Sequence, residues 1–112
     1  MINYHGKTFR PIQNSDNGET SNETVFLYQQ IGNVVTSEYM GGRIKHGHLI
    51  GIVDEHGHID MRYHQINEQG ELMTGICSSR PEILPSGKIR LYESWQWTSG
   101  DLSAGTSIVE EV

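Results

Sequence analysis

Between Gly47 and Gly75 the chain reads GHLIGIVDEHGHIDMRYHQINEQGELMTG, and two short interruptions in this stretch constrain the fold more than any other feature. Asp54-Glu55-His56-Gly57 and Asn67-Glu68-Gln69-Gly70 each open with a side chain that can cap its own turn and close with a glycine free to take positive φ. Each reads as a tight hairpin connection with a Gly bulge. The flanking segments alternate apolar and polar residues, so the plan is strand, turn, strand, turn, strand. Pairing Val53 with His58 sets Ile52 against Ile59, Ile50 against Met61 and His48 against Tyr63. Pairing Ile66 with Glu71 sets Gln65 against Leu72, Tyr63 against Thr74 and Met61 against Ile76. Both registers gather Ile50, Ile52, Ile59, Met61, Tyr63, Leu72 and Ile76 on one face, an agreement that a one-residue slip at either bulge would undo.

No segment shows apolar residues at helical spacing over three turns, and the 13 glycines are scattered through the chain, so an all-β protein is expected. Lys7 to Ile12 reads as a first strand, with Pro11 confining it to an edge or a closing strand end. Gln13 to Glu23 is a polar loop with the strongest tendency to disorder in the chain. Thr24 to Ile31 and Val34 to Tyr39 form a hairpin about Gly32-Asn33, and Met40-Gly41-Gly42-Arg43 turns the chain into Ile44 to Val53. The fifth strand lies between the two turns above, and the sixth continues toward Ser79. After Leu84-Pro85-Ser86-Gly87 comes a seventh strand, Lys88 to Thr98; a loop from Ser99 to Gly105 leads to an eighth, Thr106 to Val112. Eight antiparallel strands in meander order bury one face most simply by closing on themselves, which also removes exposed edges. A small up-and-down barrel is the predicted fold, one that resembles the calycin or lipocalin barrels in pattern, and 112 residues suffice for one such domain, 1–112.

Extending the registers gives a predicted interior. Pairing Ile31 with Val34 and Met40 with Arg43 turns Phe26, Tyr28, Gln30, Val35, Ser37, Tyr39, Ile44, His46 and His48 inward. In the seventh strand Leu91, Glu93, Trp95 and Trp97 share one parity. This interior mixes apolar with polar side chains such as Tyr63, Gln65, Thr74 and Glu93, whereas a core built for stability alone would avoid polar groups that each need a partner. The mixture points to a hydrated cavity binding a small, partly polar molecule, with Tyr39, His48, Tyr63, Glu93, Trp95 and Trp97 as the candidate ligand-binding residues. Two bland readings compete: Glu93 pairs with Arg80 or Arg90, and the tryptophans are core pillars.

The remaining chemistry-bearing residues are less organised. His46-Gly47-His48 and His56-Gly57-His58 have the i, i+2 spacing of strand-borne metal ligands, but no third ligand is spaced with them and His56 sits in a turn, so no metal or cofactor is expected. His58, Asp60, Arg62 and His64 read as a solvated outer face, with Cys77 beside Asp60 as an incidental thiol. No GxSxG elbow, P-loop, dinucleotide fingerprint or CxxC is present. A net charge of −6 without a Lys/Arg cluster argues against a nucleic-acid partner. The absence of a long apolar run argues against a helical membrane span, and one cysteine with no leader pattern suggests a cytoplasmic protein.

Over nearly its full length the chain resembles a family of small bacterial proteins, most specifically in HIDMRYHQINEQGELMTG (His58–Gly75) and ESWQWTSGD (Glu93–Asp101). That family often carries an N-acetylglutamate synthase label, which implies acetyl transfer from coenzyme A. Acetyltransferases of that kind hold the coenzyme pyrophosphate on an Arg/Gln-x-x-Gly-x-Gly/Ala loop and the helix after it, and this sequence offers neither. Three functions therefore follow as expectations: a barrel that binds a small ligand without catalysis; an enzyme with Glu93 or His48 as acid/base in the pocket; or a filled interaction module, with a homodimer as the simplest assembly.

Overall fold

The computed structural model, which describes residues 2–112, is a closed antiparallel barrel in the meander order that the alternation predicts. Its strands are β1 (Thr8–Asn14), β2 (Val25–Ile31), β3 (Val34–Gly41), β4 (Ile44–Val53), β5 (Ile59–Asn67), β6 (Leu72–Ile83), β7 (Ile89–Trp97) and β8 (Ala104–Glu111). Strand β1 closes the ring on β8 and meets β2 at only two residue pairs, Thr8 with Leu27 and Phe9 with Phe26. Pro11 sits where the β1–β8 register shifts, as its missing amide requires.

The two turns in the organising stretch form as predicted. The Asp54 carboxylate accepts from the amides of His56 and His58, and the Asn67 side-chain oxygen accepts from those of Gln69 and Glu71. Gly57 and Gly70 take φ of +83° and +81°. Each turn nevertheless consumes one residue more than the assigned pairing allowed, so Val53 faces Ile59 rather than His58, and Ile66 faces Leu72 rather than Glu71. That is the slip to which the register was sensitive.

Because β5 lies between the two slips, its own inward set, Ile59, Met61, Tyr63, Gln65 and Asn67, keeps its parity while both neighbours invert. In β4 Ile44 is inward as expected, but Gly41 rather than Met40 opens the β3–β4 pairing, opposite Ile44. A bulge between Ile44 and His46 shifts the parity, so the remaining inward residues are Gly47, Leu49, Gly51 and Val53, and Ile50, Ile52, His46 and His48 face outward. In β6, Gly75, Cys77 and Ser79 are buried, whereas Leu72 and Ile76 are exposed and Thr74 lies at the surface. Cys77 is thus an interior residue facing Met61, not an outer one beside Asp60. The Ile31–Val34 pairing, and with it the inward placement of Phe26, Tyr28, Val35, Ser37 and Tyr39, is as expected.

The barrel is filled at one end and hollow toward the other. Residues just before β1 fold across the filled end: Tyr4 is fully buried against Phe9 and Tyr28, and its hydroxyl donates to the Gly57 carbonyl. Val35, Val53, Ile59, Ile89, Leu91 and Val109 complete this apolar plug. No sequence pattern had marked Tyr4 as core.

Candidate functional site

Across β6, β7 and β8 the inward residues stack in rows at successive depths. Above the plug, where Leu91 pairs with Val109, comes Ser79–Glu93–Ser107; then Cys77–Trp95–Gly105; then Gly75–Trp97 nearest the mouth. Rows on one face are about 7 Å apart along a strand. A cavity of about 60 Å³ begins at the Glu93 row and is walled by Phe26, Tyr39, Leu49, Met61, Tyr63, Gln65, Cys77, Trp95 and Trp97. It has room for a few water-sized groups.

Inward glycines shape this wall. Tyr39 pairs across the sheet with Gly47, Tyr63 with Gly75, and Trp95 with Gly105. In each pair the ring occupies the space where a glycine Cβ would stand. The rings therefore lie against the barrel wall and leave its axis open. Trp97 meets Tyr63 and Trp95 edge to face at 5.6 and 5.8 Å between centroids, and Phe26 packs on Tyr39 at 4.6 Å.

Glu93 is the polar centre of the cavity. Its two carboxylate oxygens accept one hydroxyl each, from Ser79 and from Ser107, both at 3.0 Å. Neither arginine considered from sequence reaches it: Arg90 binds Glu110 at 3.0 Å, and the Arg80 guanidinium lies 4.5 Å over the Tyr92 ring on the outer face. Enclosure without a countercharge pushes the carboxyl up to about 7, the two serine hydroxyls opposing the rise. Burial, followed by the field of Glu93, raises Tyr28 and Cys77 in turn; Tyr39 and Tyr63 are raised by burial first and by neighbouring acids including Glu93.

The mouth is covered by the polar loop between β1 and β2, which is held in place rather than loose. Asn14 donates to the Thr20 carbonyl and hydroxyl, Arg43 donates to the Gly18 carbonyl, and the Trp97 indole donates to the Asn17 carbonyl at 3.0 Å. Beneath the loop, the Tyr39 hydroxyl donates to Gln65 at 2.8 Å, and Gln65 and Asn67 each donate to the Glu19 carboxylate at 2.7 Å. Asn14 and Glu19 were not found from sequence, and Asn67 was read only as a turn residue. Asn14 sits at a strand end with its side chain tied to Thr20 in the loop, and Glu19 and Asn67 meet across 48 positions, a pairing that leaves no local pattern.

Of the six candidate residues, the structure brings Tyr39, Tyr63, Glu93, Trp95 and Trp97 around one cavity and leaves His48 out. His48 follows the inverted parity of β4 and stacks on His64 at 5.3 Å outside the barrel. Outside the wall, His48 cannot serve as acid or base in this cavity, whereas Glu93 lies within it. Among the described residues no group of three His, Cys, Asp or Glu side chains is arranged to hold a metal ion.

A closed eight-stranded barrel, plugged at one end and carrying an aromatic-walled cavity under a loop at the other, has the architecture of a calycin-type barrel. A family profile described as avidin-like protein matches residues 2–112, so the chain belongs to the avidin-like family. Neither curated proteins nor solved structures gave a match.

Proposed function

We propose that this protein binds a small molecule in the barrel interior, in contact with Trp95, Trp97, Tyr63 and Tyr39 and hydrogen-bonded to Glu93, without changing it chemically. The observation that carries this reading is the Glu93 row: a carboxylate enclosed below two tryptophans with only serine hydroxyls as partners. An enclosed charge of this kind is costly, and a bound donor relieves the cost. Glycines opposite the rings support the reading, since alanine there and smaller rings would fill the same volume without leaving a void. Membership in the avidin-like family supports small-ligand binding and places biotin among the compounds to test.

The test is a thermal-shift screen of neutral, cationic and anionic metabolites, biotin and acetyl-CoA included, repeated on Trp97→Ala and His48→Ala. An interior ligand raises the melting temperature of the parent and of His48→Ala and loses most of that effect in Trp97→Ala. If no compound acts, or if His48→Ala abolishes the shift as fully as Trp97→Ala, the reading is wrong. A shift by acetyl-CoA that depends on Trp97 would instead favour the acetyl-transfer label of the resembling proteins.

One outer feature favours self-association. Ile31, Val34 and Ile52 lie side by side in the register and are 84%, 40% and 59% exposed. A homodimer covering this strip is the proposed assembly, and light scattering showing a monomer throughout the micromolar range would refute it.

A further inference from the structure

The charge census of the interior is one-sided. Every titratable group lining the cavity is an acid: Glu93 at depth, Glu19 at the mouth, and Tyr39, Tyr63 and Cys77 between them. No Lys, Arg or His lines it. At the two ends of the cavity the unused polar capacity is acceptor, while between them the Tyr63 hydroxyl and the Trp95 indole N–H have no hydrogen-bond partner among the described residues. The Glu93 carboxylate takes one hydroxyl on each oxygen and has lone pairs to spare. Asn14 Oδ1, at the mouth of the same cavity, is buried and without a partner among the described residues. Around these acceptors stand the faces and edges of five aromatic rings, Phe26, Tyr39, Tyr63, Trp95 and Trp97.

These three facts select among ligand classes. An anion would enter against two carboxylates with no cation to receive it. Above pH 7, where Glu93 is ionised, a neutral donor could satisfy a lone pair but would leave the enclosed carboxylate charge uncompensated. A cation does both, and aromatic faces attract it further. Resting on the interior-binding reading above, we propose that the ligand of this barrel is a small organic cation. Its primary ammonium head sits on the Glu93 carboxylate, and its short alkyl chain runs past Trp95 and Trp97 toward Asn14. The three N–H bonds of such a head match the free lone pairs of Glu93 and of the Ser79 and Ser107 hydroxyl oxygens flanking it. The cavity of about 60 Å³ limits the head to an unbranched amine.

The experiment compares three probes of nearly equal shape, n-butylammonium, n-butanol and butanoate, at pH 8, reading Trp95 and Trp97 emission and calorimetric binding. For the parent protein, n-butylammonium binds at least tenfold more tightly than n-butanol, and butanoate gives no saturable signal. Glu93→Gln, in which both serines can still hydrogen-bond position 93, loses at least tenfold for n-butylammonium and leaves n-butanol unchanged. His48→Ala, outside the barrel, changes neither. Equal binding of n-butanol and n-butylammonium, binding of butanoate, or an undiminished ammonium affinity in Glu93→Gln overturns the cation assignment. A neutral compound whose thermal shift depends on Trp97, together with any of those results, removes the cation class while the interior site stands. Failure of all three probes and of the whole metabolite screen removes both.

Discussion

Gly47→Ala is the sharpest probe of how the cavity wall is built. Gly47 has ordinary extended backbone, so alanine meets no conformational penalty there and by propensity alone should gain about 0.5–1 kcal/mol. The added methyl, however, falls on the edge of the Tyr39 ring, with Cζ about 2.5 Å away. That ring cannot retreat cheaply: Tyr39 is 3% exposed, packs on Phe26, and is tethered through its hydroxyl to Gln65. Overpacking at such a site costs about 1–3 kcal/mol, and breaking the tether adds about 1 kcal/mol. The net expectation is a loss of about 2 kcal/mol, or roughly 8 °C in melting temperature for a domain of this size. Chemical denaturation of Gly47→Ala, Tyr39→Val and the double variant separates cause from accident, because without the ring the alanine has nothing to strike. The double variant should be at least as stable as Tyr39→Val alone, giving a coupling of about 2 kcal/mol. If Gly47→Ala is as stable as the parent, or equally harmful with and without the Tyr39 ring, the ring-over-glycine account is wrong.

Three further expectations follow from the same site. Because the folded-state carboxyl of Glu93 lies at about 7, above its ordinary value, ionisation opposes folding. Stability is therefore full in acid and declines as pH rises from about 4.5 to about 7, and denaturant melts of Glu93→Gln should lack this decline; an identical decline in both proteins excludes Glu93 as its source. Trp97→Phe removes the indole bond to Asn17, so the Gly18 amide, which donates to the Ser15 carbonyl, should exchange with solvent about tenfold faster by hydrogen exchange, with unchanged rates arguing against that tether. Cys77 is buried and its thiol is pushed up by burial and then by Glu93, so it should resist a disulfide reagent in native buffer and react at once in denaturant; fast native labelling would show the interior open.

The closed meander was legible because alternation and the Asx-to-Gly turns are local signals, and the inward row Leu91, Glu93, Trp95 and Trp97 was legible because β7 carries its parity in its own residues. What failed was the transfer of parity across a bulge. Isoleucines at 50, 52 and 76 were read as core because they are apolar, while Gly47, Gly51 and Gly75, the true inward residues, carry no hydrophobic signal at all. A barrel whose interior must hold rings as large as Tyr39, Tyr63 and Trp95 needs small neighbours beside them, so the inward parity of β4 is marked by glycine and the outward parity by isoleucine. Parity errors of this kind moved His48 into the pocket and Cys77 out of it. The loop from Gln13 to Glu23 was read as prone to disorder, and its role over the mouth was missed for a different reason: Asn17 and Glu19 make their decisive bonds to residues 46 to 87 positions away, with which they share no sequence pattern.

The ring-over-glycine wall and the uncompensated Glu93 also explain each other. A barrel of eight strands is just wide enough to be filled by its own side chains, and the plug from Tyr4 to Leu91 shows this chain filling it in the lower half. Above Leu91 the same geometry would close if the rings pointed to the axis, but glycines at 47, 75 and 105 let them lie flat, and the volume so released ends on a carboxylate. Either feature alone weakens the fold, one by forgoing packing and the other by enclosing charge. Together they specify a ligand by what it must bring: apolar bulk to meet the rings, and hydrogen-bond donors, best of all a positive charge, to meet Glu93. A variant that filled the void and neutralised the acid, such as Gly105→Ala with Glu93→Gln, should consequently bind nothing even where it remains folded, and retention of ligand by that pair would show the binding site to lie elsewhere.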